Sequence, residues 1–215
     1  MNLLQAFYFR TVAFFYALYI RIVYWSSRVE MNGRQILSEN EGREKFLFIF
    51  WHGESYCLYP LLEGRKAYAV VTSDTRGNYI APLCSYFGYS SIRLPDRREK
   101  GNSFHVLRKV MGNADGDLLL SLDGPTGPYH CPKDFPFALA MYLRYRVIPI
   151  SMDMKRKVSL RRRWDRFTIP LPFNRIVFTF HDPLTVSKSD LEEDFSFLKE
   201  KVRSEMEHNR EALNP

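Results

Sequence analysis

Beyond residue 30, the hydrophobic positions form short continuous apolar runs separated by longer amphipathic stretches. Continuous apolar runs are typical of strands buried on both faces, and the stretches between them are long enough for helices. This pattern predicts an α/β fold with a mostly parallel sheet covered by helices. The predicted strands are Phe46–Phe50, Tyr68–Thr72, Ser91–Leu94, Asp117–Leu122, Val147–Ser151 and Ile176–Phe180, and the predicted helices are Tyr56–Leu62, Tyr79–Phe87, Asn102–Asn113 and Phe137–Tyr145.

Near the carboxyl terminus, apolar residues recur every three or four positions from Leu191 to Met206. This period predicts an amphipathic helix packed on the domain. Ser189 and Glu192 have the spacing of a capping box and predict where that helix begins.

The amino-terminal segment Leu3–Trp25 is strongly apolar and aromatic. No basic start precedes it and no small-residue cleavage site follows it, so a signal peptide is not expected. A spanning helix is not favoured, because arginines interrupt the apolar run. On a helix, Arg10, Arg21 and Arg28 share one face, which is typical of a helix lying in the bilayer interface. We therefore expect a membrane-associated amphipathic helix over 1–30 and an α/β domain over 31–215, with a core helix as the alternative.

The formal net charge of +7 is concentrated in one segment, Lys155–Arg166, which carries seven basic residues and one acid. Such a segment could bind an anionic membrane surface or nucleic acid. The alternative is that it is a solvated loop between two strands. Nucleic acid is not expected, because Trp164 alone is interleaved with the basic residues. The three cysteines, Cys57, Cys84 and Cys131, are widely spaced, which excludes a disulfide framework and a cysteine zinc cluster and is typical of a reducing compartment. We expect no metal.

Candidate chemistry follows the predicted strands, and ligands of open α/β sheets bind beyond the carboxyl ends of strands. His52 follows the first strand, and an imidazole there can take a proton from a hydroxyl at neutral pH. The alternative is a hydrogen-bonded structural histidine, which is how we interpret His105, His130, His181 and His208. The other candidate residues at this edge are Glu54, Ser73, Asp74, Arg93 and the turn Asp123, Gly124, Pro125, Thr126 and Gly127.

The Asp123 turn contains two Gly-Pro pairs that make it rigid, with amides able to face an anion. It lacks the spacing of a P-loop, and a tight β-turn is the alternative. Arg93 has the planar guanidinium that grips a phosphate or carboxylate, although a surface ion pair is an equal alternative for an isolated arginine.

The motifs occur in an order that resembles a bacterial branch of the lysophospholipid acyltransferase superfamily, a branch long catalogued as a domain of unknown function. WHG, DGPxGP and WDRFxIPxPF together are specific to that branch, and the resemblance covers roughly Phe46 to Val186. Two positions depart from its pattern: Leu94 follows Arg93 where the branch has Gly-Ser, and of a Lys-Pro-Gly after the turn only Lys133 is present.

The resemblance implies transfer of a fatty acyl group from an acyl-carrier protein or acyl-CoA thioester to a lipid hydroxyl, with no bound cofactor. It makes His52 the general base of a His–Asp dyad, but Cys57 stands where the superfamily has the aspartate, and a thiol cannot replace a carboxylate there. Glu54 or Asp123 would then pair with the imidazole, and we prefer Asp123. Arg93 would grip a phosphate, and Asp123, Gly124 and Pro125 would help to bind the acceptor.

The acceptor implied is a lysophospholipid, glycerol phosphate or a lipid A precursor. The expected place of action is the cytoplasmic face of the inner membrane, where the protein would be peripheral and bound to an anionic surface. The incomplete dyad favours one rival interpretation, a lipid-binding or membrane-scaffold protein that keeps the acyltransferase fold.

Overall fold

The computed structural model describes residues 2–39, 44–94 and 100–211. The elements in chain order are α1 (Leu3–Ser26), β1 (Arg28–Asn32), α2 (Gln35–Glu39), β2 (Phe46–Phe50), a 3₁₀ helix (His52–Cys57), β3 (Ala67–Thr72), α3 (Gly77–Tyr86), β4 (Ser90–Leu94), α4 (Lys100–Asn113), β5 (Asp117–Ser121), α5 (Asp134–Leu143), β6 (Arg146–Met154), β7 (Lys157–Ser159), β8 (Thr168–Pro170), β9 (Arg175–Phe180), α6 (Lys188–Glu192) and α7 (Ser196–Glu211).

Seven of the described strands form the central sheet in the order β1-β9-β6-β2-β5-β3-β4. Neighbouring strands pair in parallel except β6 and β9, which are antiparallel. The predicted α/β fold with a mostly parallel sheet is therefore confirmed. Because β2 to β6 run in the same direction, their carboxyl ends lie at one edge of the sheet, whereas β1 and β9 run in the opposite direction.

The two faces of the sheet are both buried, which explains the continuous apolar strands. In β2, Phe46 and Phe48 pack on the side of α1 and α3. Leu47 and Ile49 pack on the other side, with buried residues of α4, α5 and α7. All four side chains are fully buried. A strand between two layers of helices has no polar face, so its sequence does not alternate.

Helix α1 has one buried face and one exposed apolar face. Ala13, Ala17, Ile20 and Val23 are buried against the domain. The exposed large apolar and aromatic side chains of this helix are Leu3, Leu4, Phe7, Tyr8, Phe14, Phe15, Tyr16, Leu18, Ile22 and Trp25. The helix is long and apolar enough to cross a membrane, but a membrane anchor, a signal sequence and a core helix all meet this criterion.

The arginine face predicted for this segment does not form as expected. Arg21 donates to Glu63 at 2.6 Å, and its guanidinium lies over the ring of Phe87. Arg28 lies beyond the end of α1 and belongs to β1. The helix ends at Ser26, and the chain turns there to place β1 beside β9. The boundary predicted at residue 30 therefore falls inside a strand of the central sheet.

Two further helix predictions are wrong in detail. The helix predicted over Tyr56–Leu62 is replaced by the 3₁₀ helix and the turns that follow it. The predicted carboxyl-terminal helix is broken after α6, because Asp194 and Phe195 have left-handed backbone conformations. The capping box at its start is formed by Ser187 and Asp190. The apolar period continued across the break because Phe195 is itself buried.

The basic segment contains β7 and most of the loop that connects β7 to β8. Strand β6 continues to Met154, and β7 and β8 pair as a separate antiparallel ribbon. The loop between Ser159 and Thr168 lies over the carboxyl edge of the sheet. There, Asp165 of the loop contacts His52 and Gly53, which follow β2.

Candidate active site at the carboxyl edge of the sheet

Trp51 follows β2, and His52 comes next, at the first position of the 3₁₀ helix. Its backbone N–H donates to Oδ1 of Asp123 at 2.9 Å. Asp123 follows β5, the strand paired with β2, so the parallel register brings both residues to the same place. His52 and Asp123, the two residues predicted as the centre of the site, are thus neighbours. Their hydrogen bond uses the backbone of His52, whereas the prediction placed the carboxylate beside its imidazole.

The imidazole of His52 is hydrogen-bonded to a different carboxylate. Its Nδ1 lies 2.9 Å from Oδ2 of Asp165, which belongs to the loop between β7 and β8. The preference for Asp123 as the partner of the ring therefore differs from the structure, because Oδ1 of Asp123 accepts a backbone amide instead. Glu54 lies in the 3₁₀ helix, is buried, and lines a cavity beside Asp165.

Asp165 is fully enclosed, and both its oxygens accept hydrogen bonds. Arg163 donates through Nε to Oδ1 at 2.9 Å and through an Nη to Oδ2 at 2.8 Å. The backbone N–H of Phe167 donates to Oδ1 at 3.2 Å. Burial opposes ionisation of Asp165, but the hydrogen bonds from Arg163 and His52 outweigh it and lower the pKa of the carboxyl. Asp165 is therefore a carboxylate at neutral pH.

His52 is held as a neutral imidazole. Burial lowers its pKa, the hydrogen bond to Asp165 offsets part of that effect, and the positive charges of Arg163 and Arg76 lower it further. Its side chain is 28% exposed, and Nε2 has no hydrogen-bond partner among the described residues. With Nδ1 directed to Asp165, Nε2 is the nitrogen available to a ligand.

Two motif glycines allow the hairpin loop to approach the sheet edge. A Cβ atom on Gly53 would overlap the backbone carbonyl oxygen of Asp165. A Cβ atom on Gly127 would overlap the indole of Trp164, and Gly127 also has a left-handed backbone with φ of 67°. Trp164 in turn lies 5.2 Å from the ring of His52, measured between centroids. The WHG and DGPTGP motifs therefore form the surface on which the WDRF segment packs.

Asp123 carries a second unusual feature. Its side chain is fully buried, and its Oδ2 has no hydrogen-bond partner in the part of the chain that the structure describes. Burial raises the pKa of the carboxyl to about 6, although hydrogen bonds from backbone amides, including that of His52, act in the opposite direction. Within the turn, Gly124 is left-handed, and Pro125 and Thr126 are exposed.

The residues after β3 contact one another and Arg93, which lies within β4. Asp74 accepts from Thr72 at 2.7 Å and from the backbone of Gly77 at 3.1 Å, so it holds the start of α3. The backbone N–H of Ser73 donates to the carbonyl of Leu94. Arg93 donates to Asn78 at 2.8 Å and to the carbonyl of Asp74 at 3.3 Å. These contacts join the end of β3, the start of α3 and the end of β4. The positive charge of Arg76, in the same segment, lowers the pKa of His52.

Asp165 and Arg163, which complete the candidate site, were not among the site residues predicted from the sequence. A signal was present: Asp165 is the single acid within the basic segment. Cys57, in the position where an aspartate was expected, is fully buried, and burial raises the pKa of its thiol. The described residues contain no cluster of three His, Cys, Asp or Glu side chains that could hold a metal ion.

No family model matches this chain. The chain is similar to the uncharacterized protein RP090 of Rickettsia prowazekii (strain Madrid E), with 28% identity over 177 residues and 78% of each chain covered.

Proposed function

We propose that this protein is a membrane-surface acyltransferase of the lysophospholipid acyltransferase type. It would move a fatty acyl group from an acyl-carrier protein or acyl-CoA thioester to a hydroxyl of a lysophospholipid or a lipid A-type precursor. The observation that carries the proposal is the His52–Asp165 hydrogen bond, because it supplies through space the carboxylate that is missing at Cys57. The mostly parallel sheet with its site at the carboxyl edge also suits such an enzyme.

In the proposed reaction, Nε2 of His52 takes the proton of the acceptor hydroxyl while the hydroxyl oxygen attacks the thioester carbonyl carbon. The tetrahedral intermediate collapses with cleavage of the C–S bond, and the leaving thiolate takes the proton back from Nε2. The products are an ester and a free thiol. Asp165 orients the ring and stabilises the imidazolium that forms between the two proton transfers.

The exposed apolar face of α1 supports action at a membrane. Large aromatic side chains on one side of a helix bind to the boundary between headgroups and acyl chains. Arg10, which is exposed, borders this face and could meet an anionic headgroup. The proposed location remains the cytoplasmic face of the inner membrane.

The test compares lipids from cells that overproduce the unaltered protein, His52→Ala or the control His105→Ala. His105 is an exposed histidine on α4, outside the site. Mass spectrometry should detect an acylated lipid that accumulates with the unaltered protein and with His105→Ala. Loss of a general base should lower its formation about 10²- to 10⁴-fold in His52→Ala.

Equal accumulation in His52→Ala and the control would overturn the proposed mechanism. Membrane binding by a protein that produces no acylated lipid would favour the rival function, a lipid-binding or scaffold protein with this fold.

A further inference from the structure

We infer that Asp123 is a positioning residue, which orients the imidazole of His52 by holding the backbone of the same residue. This inference rests on the proposed function, because it concerns the base of the proposed reaction. Oδ1 of Asp123 accepts the backbone N–H of His52 at 2.9 Å, and Oδ2 of Asp165 lies 2.9 Å from Nδ1 of the ring. His52 is therefore attached at two points, its backbone to one carboxylate and its ring to another.

The backbone N–H of His52 needs an acceptor from outside its own helix. His52 is the first residue of the 3₁₀ helix, and the first N–H groups of a helix have no partner within it. Trp51 precedes it at the N-cap position, and an indole offers a donor but no acceptor. Asp123, at the end of the neighbouring strand, therefore supplies the oxygen that a capping side chain supplies in other helices.

Asp123 is itself held in place by the ends of two paired strands. The backbone N–H of Leu122 donates to the carbonyl of Phe50 at 2.8 Å, which joins the end of β5 to the end of β2. The carbonyl of Leu122 in turn accepts the backbone N–H of Lys133 at 2.9 Å. The carboxylate thus has a fixed position relative to β2, and it can fix the start of the segment that carries His52.

The burial of Asp123 argues against direct contact with a substrate. Its exposed fraction is 0%, whereas Pro125 and Thr126 of the same turn are exposed. The resemblance implies that Asp123 helps to bind the acceptor, but an enclosed side chain would first have to be uncovered. Its hydrogen bond to the backbone of His52 requires no such movement.

Asp117 provides a matched control at the other end of the same two strands. It is a buried carboxylate on β5, and its Oδ1 accepts the backbone N–H of Phe46, the first residue of β2, at 2.9 Å. It also pairs with Arg65, so its loss should destabilise the fold at least as much as loss of Asp123. A merely structural role predicts similar effects at both positions, whereas positioning predicts that only Asp123 affects the imidazole of His52.

The test follows the His52 resonances by NMR in the purified full-length protein at about pH 7.5, where the imidazole is neutral and Asp123 is ionised. Asp123→Leu keeps the approximate size of the side chain but removes the acceptor. The backbone N–H signal of His52 should then move upfield, and the downfield Nδ1–H signal of the ring bonded to Asp165 should be lost. Asp123→Asn retains an oxygen that can accept the N–H, so both signals should persist. They should also persist in Asp117→Leu.

The kinetic counterpart is acyl transfer to the acceptor found in cells. Asp123→Leu should lower kcat about 10- to 100-fold without changing KM for the acceptor, and Asp123→Asn should keep kcat within about threefold. The inference is overturned if Asp123→Leu keeps the Nδ1–H signal or if Asp117→Leu also loses it. It is equally overturned if Asp123→Asn raises KM, which would indicate acceptor binding, or if its kcat falls as far as that of Asp123→Leu.

If Asp123→Leu does not fold, Asp123→Asn decides the question. Persistence of both His52 signals with normal kcat supports positioning, and loss of either result overturns it. The NMR signals do not depend on acyl transfer. A protein that forms no acylated lipid but shows the expected signal changes would therefore refute the proposed function and not the attachment of His52 to Asp123.

Discussion

Nδ1 of His52 and Oδ2 of Asp165 lie 2.9 Å apart although 113 residues separate them in the chain. The carboxylate is fully enclosed, and the imidazole is partly exposed. A buried anion beside an accessible imidazole is the arrangement that orients a general base and compensates its charge after it takes a proton.

Asp165→Asn should lower acyl transfer about 10²- to 10⁴-fold, because the amide keeps the size of the carboxylate but cannot stabilise an imidazolium. The rate is measured with a thioester donor and the acceptor found in cells. Asp115→Asn is the control, since Asp115 is highly exposed and its nearest cations are 3.7 and 3.9 Å away. Thermal unfolding of both variants separates loss of chemistry from loss of folding. An Asp165→Asn variant with normal turnover would exclude the pair as the catalytic unit.

The activity should depend on pH through His52. Its pKa is lowered below the ordinary value of about 6.5, first by burial, so the neutral base predominates at pH 7. Activity should fall as the pH drops through the pKa and the ring becomes protonated. The measurement is the pH profile of kcat/KM, which reports the free enzyme. A profile without an acidic limb would contradict His52 as the base.

Arg163 should act as a positioning residue, and the same profile tests it. Arg163→Gln removes a positive charge that lowers the pKa of His52, so the acidic limb should move to higher pH. Arg163→Lys keeps the charge but loses the two-nitrogen contact with Asp165, so kcat should fall while the limb stays in place. Arg162→Gln is the control and should change neither. A purely structural role would lower the rate in both Arg163 variants without moving the limb.

Gly53→Ala should destabilise the protein by about 1–3 kcal/mol, since the new methyl group would overlap the carbonyl of Asp165. Displacing that carbonyl also separates Asp165 from His52, so activity should fall with stability. Gly112→Ala provides a contrast, because nothing lies near that position on α4 and alanine favours a helix by about 1 kcal/mol. Chemical denaturation measures both changes. Gly53→Ala with unchanged stability would mean that the loop adjusts without cost.

Membrane binding should depend on the exposed face of α1. Phe7, Phe15 and Leu18 are 72%, 62% and 42% exposed. Changing all three to Ser should reduce sedimentation with anionic phospholipid vesicles at least about tenfold, because each side chain contributes apolar area to binding. Val110→Ser, on the exposed side of α4, should have no effect. Unaltered sedimentation of the triple variant would place membrane contact elsewhere or exclude it.

The local pattern of the sequence determined the α/β class, the six main strands and the edge of the sheet where the site would lie. Continuous apolar strands can be buried only between two layers, and parallel strands bring their carboxyl ends together. This was enough to place His52 beside Asp123. Local pattern could not show the break between α6 and α7, because burial of Phe195 preserves the helical period across it.

Only the tertiary structure decided which carboxylate meets the imidazole. Asp165 comes from a hairpin loop far along the chain, and its position depends on contacts of that loop with Gly53 and with the Gly127 turn. Sequence spacing carries no information about such a contact, because it arises from the packing of two distant segments. Asp123 lies closer to His52 along the sheet edge, but its Oδ1 accepts a hydrogen bond from the backbone N–H of His52 and not from the ring.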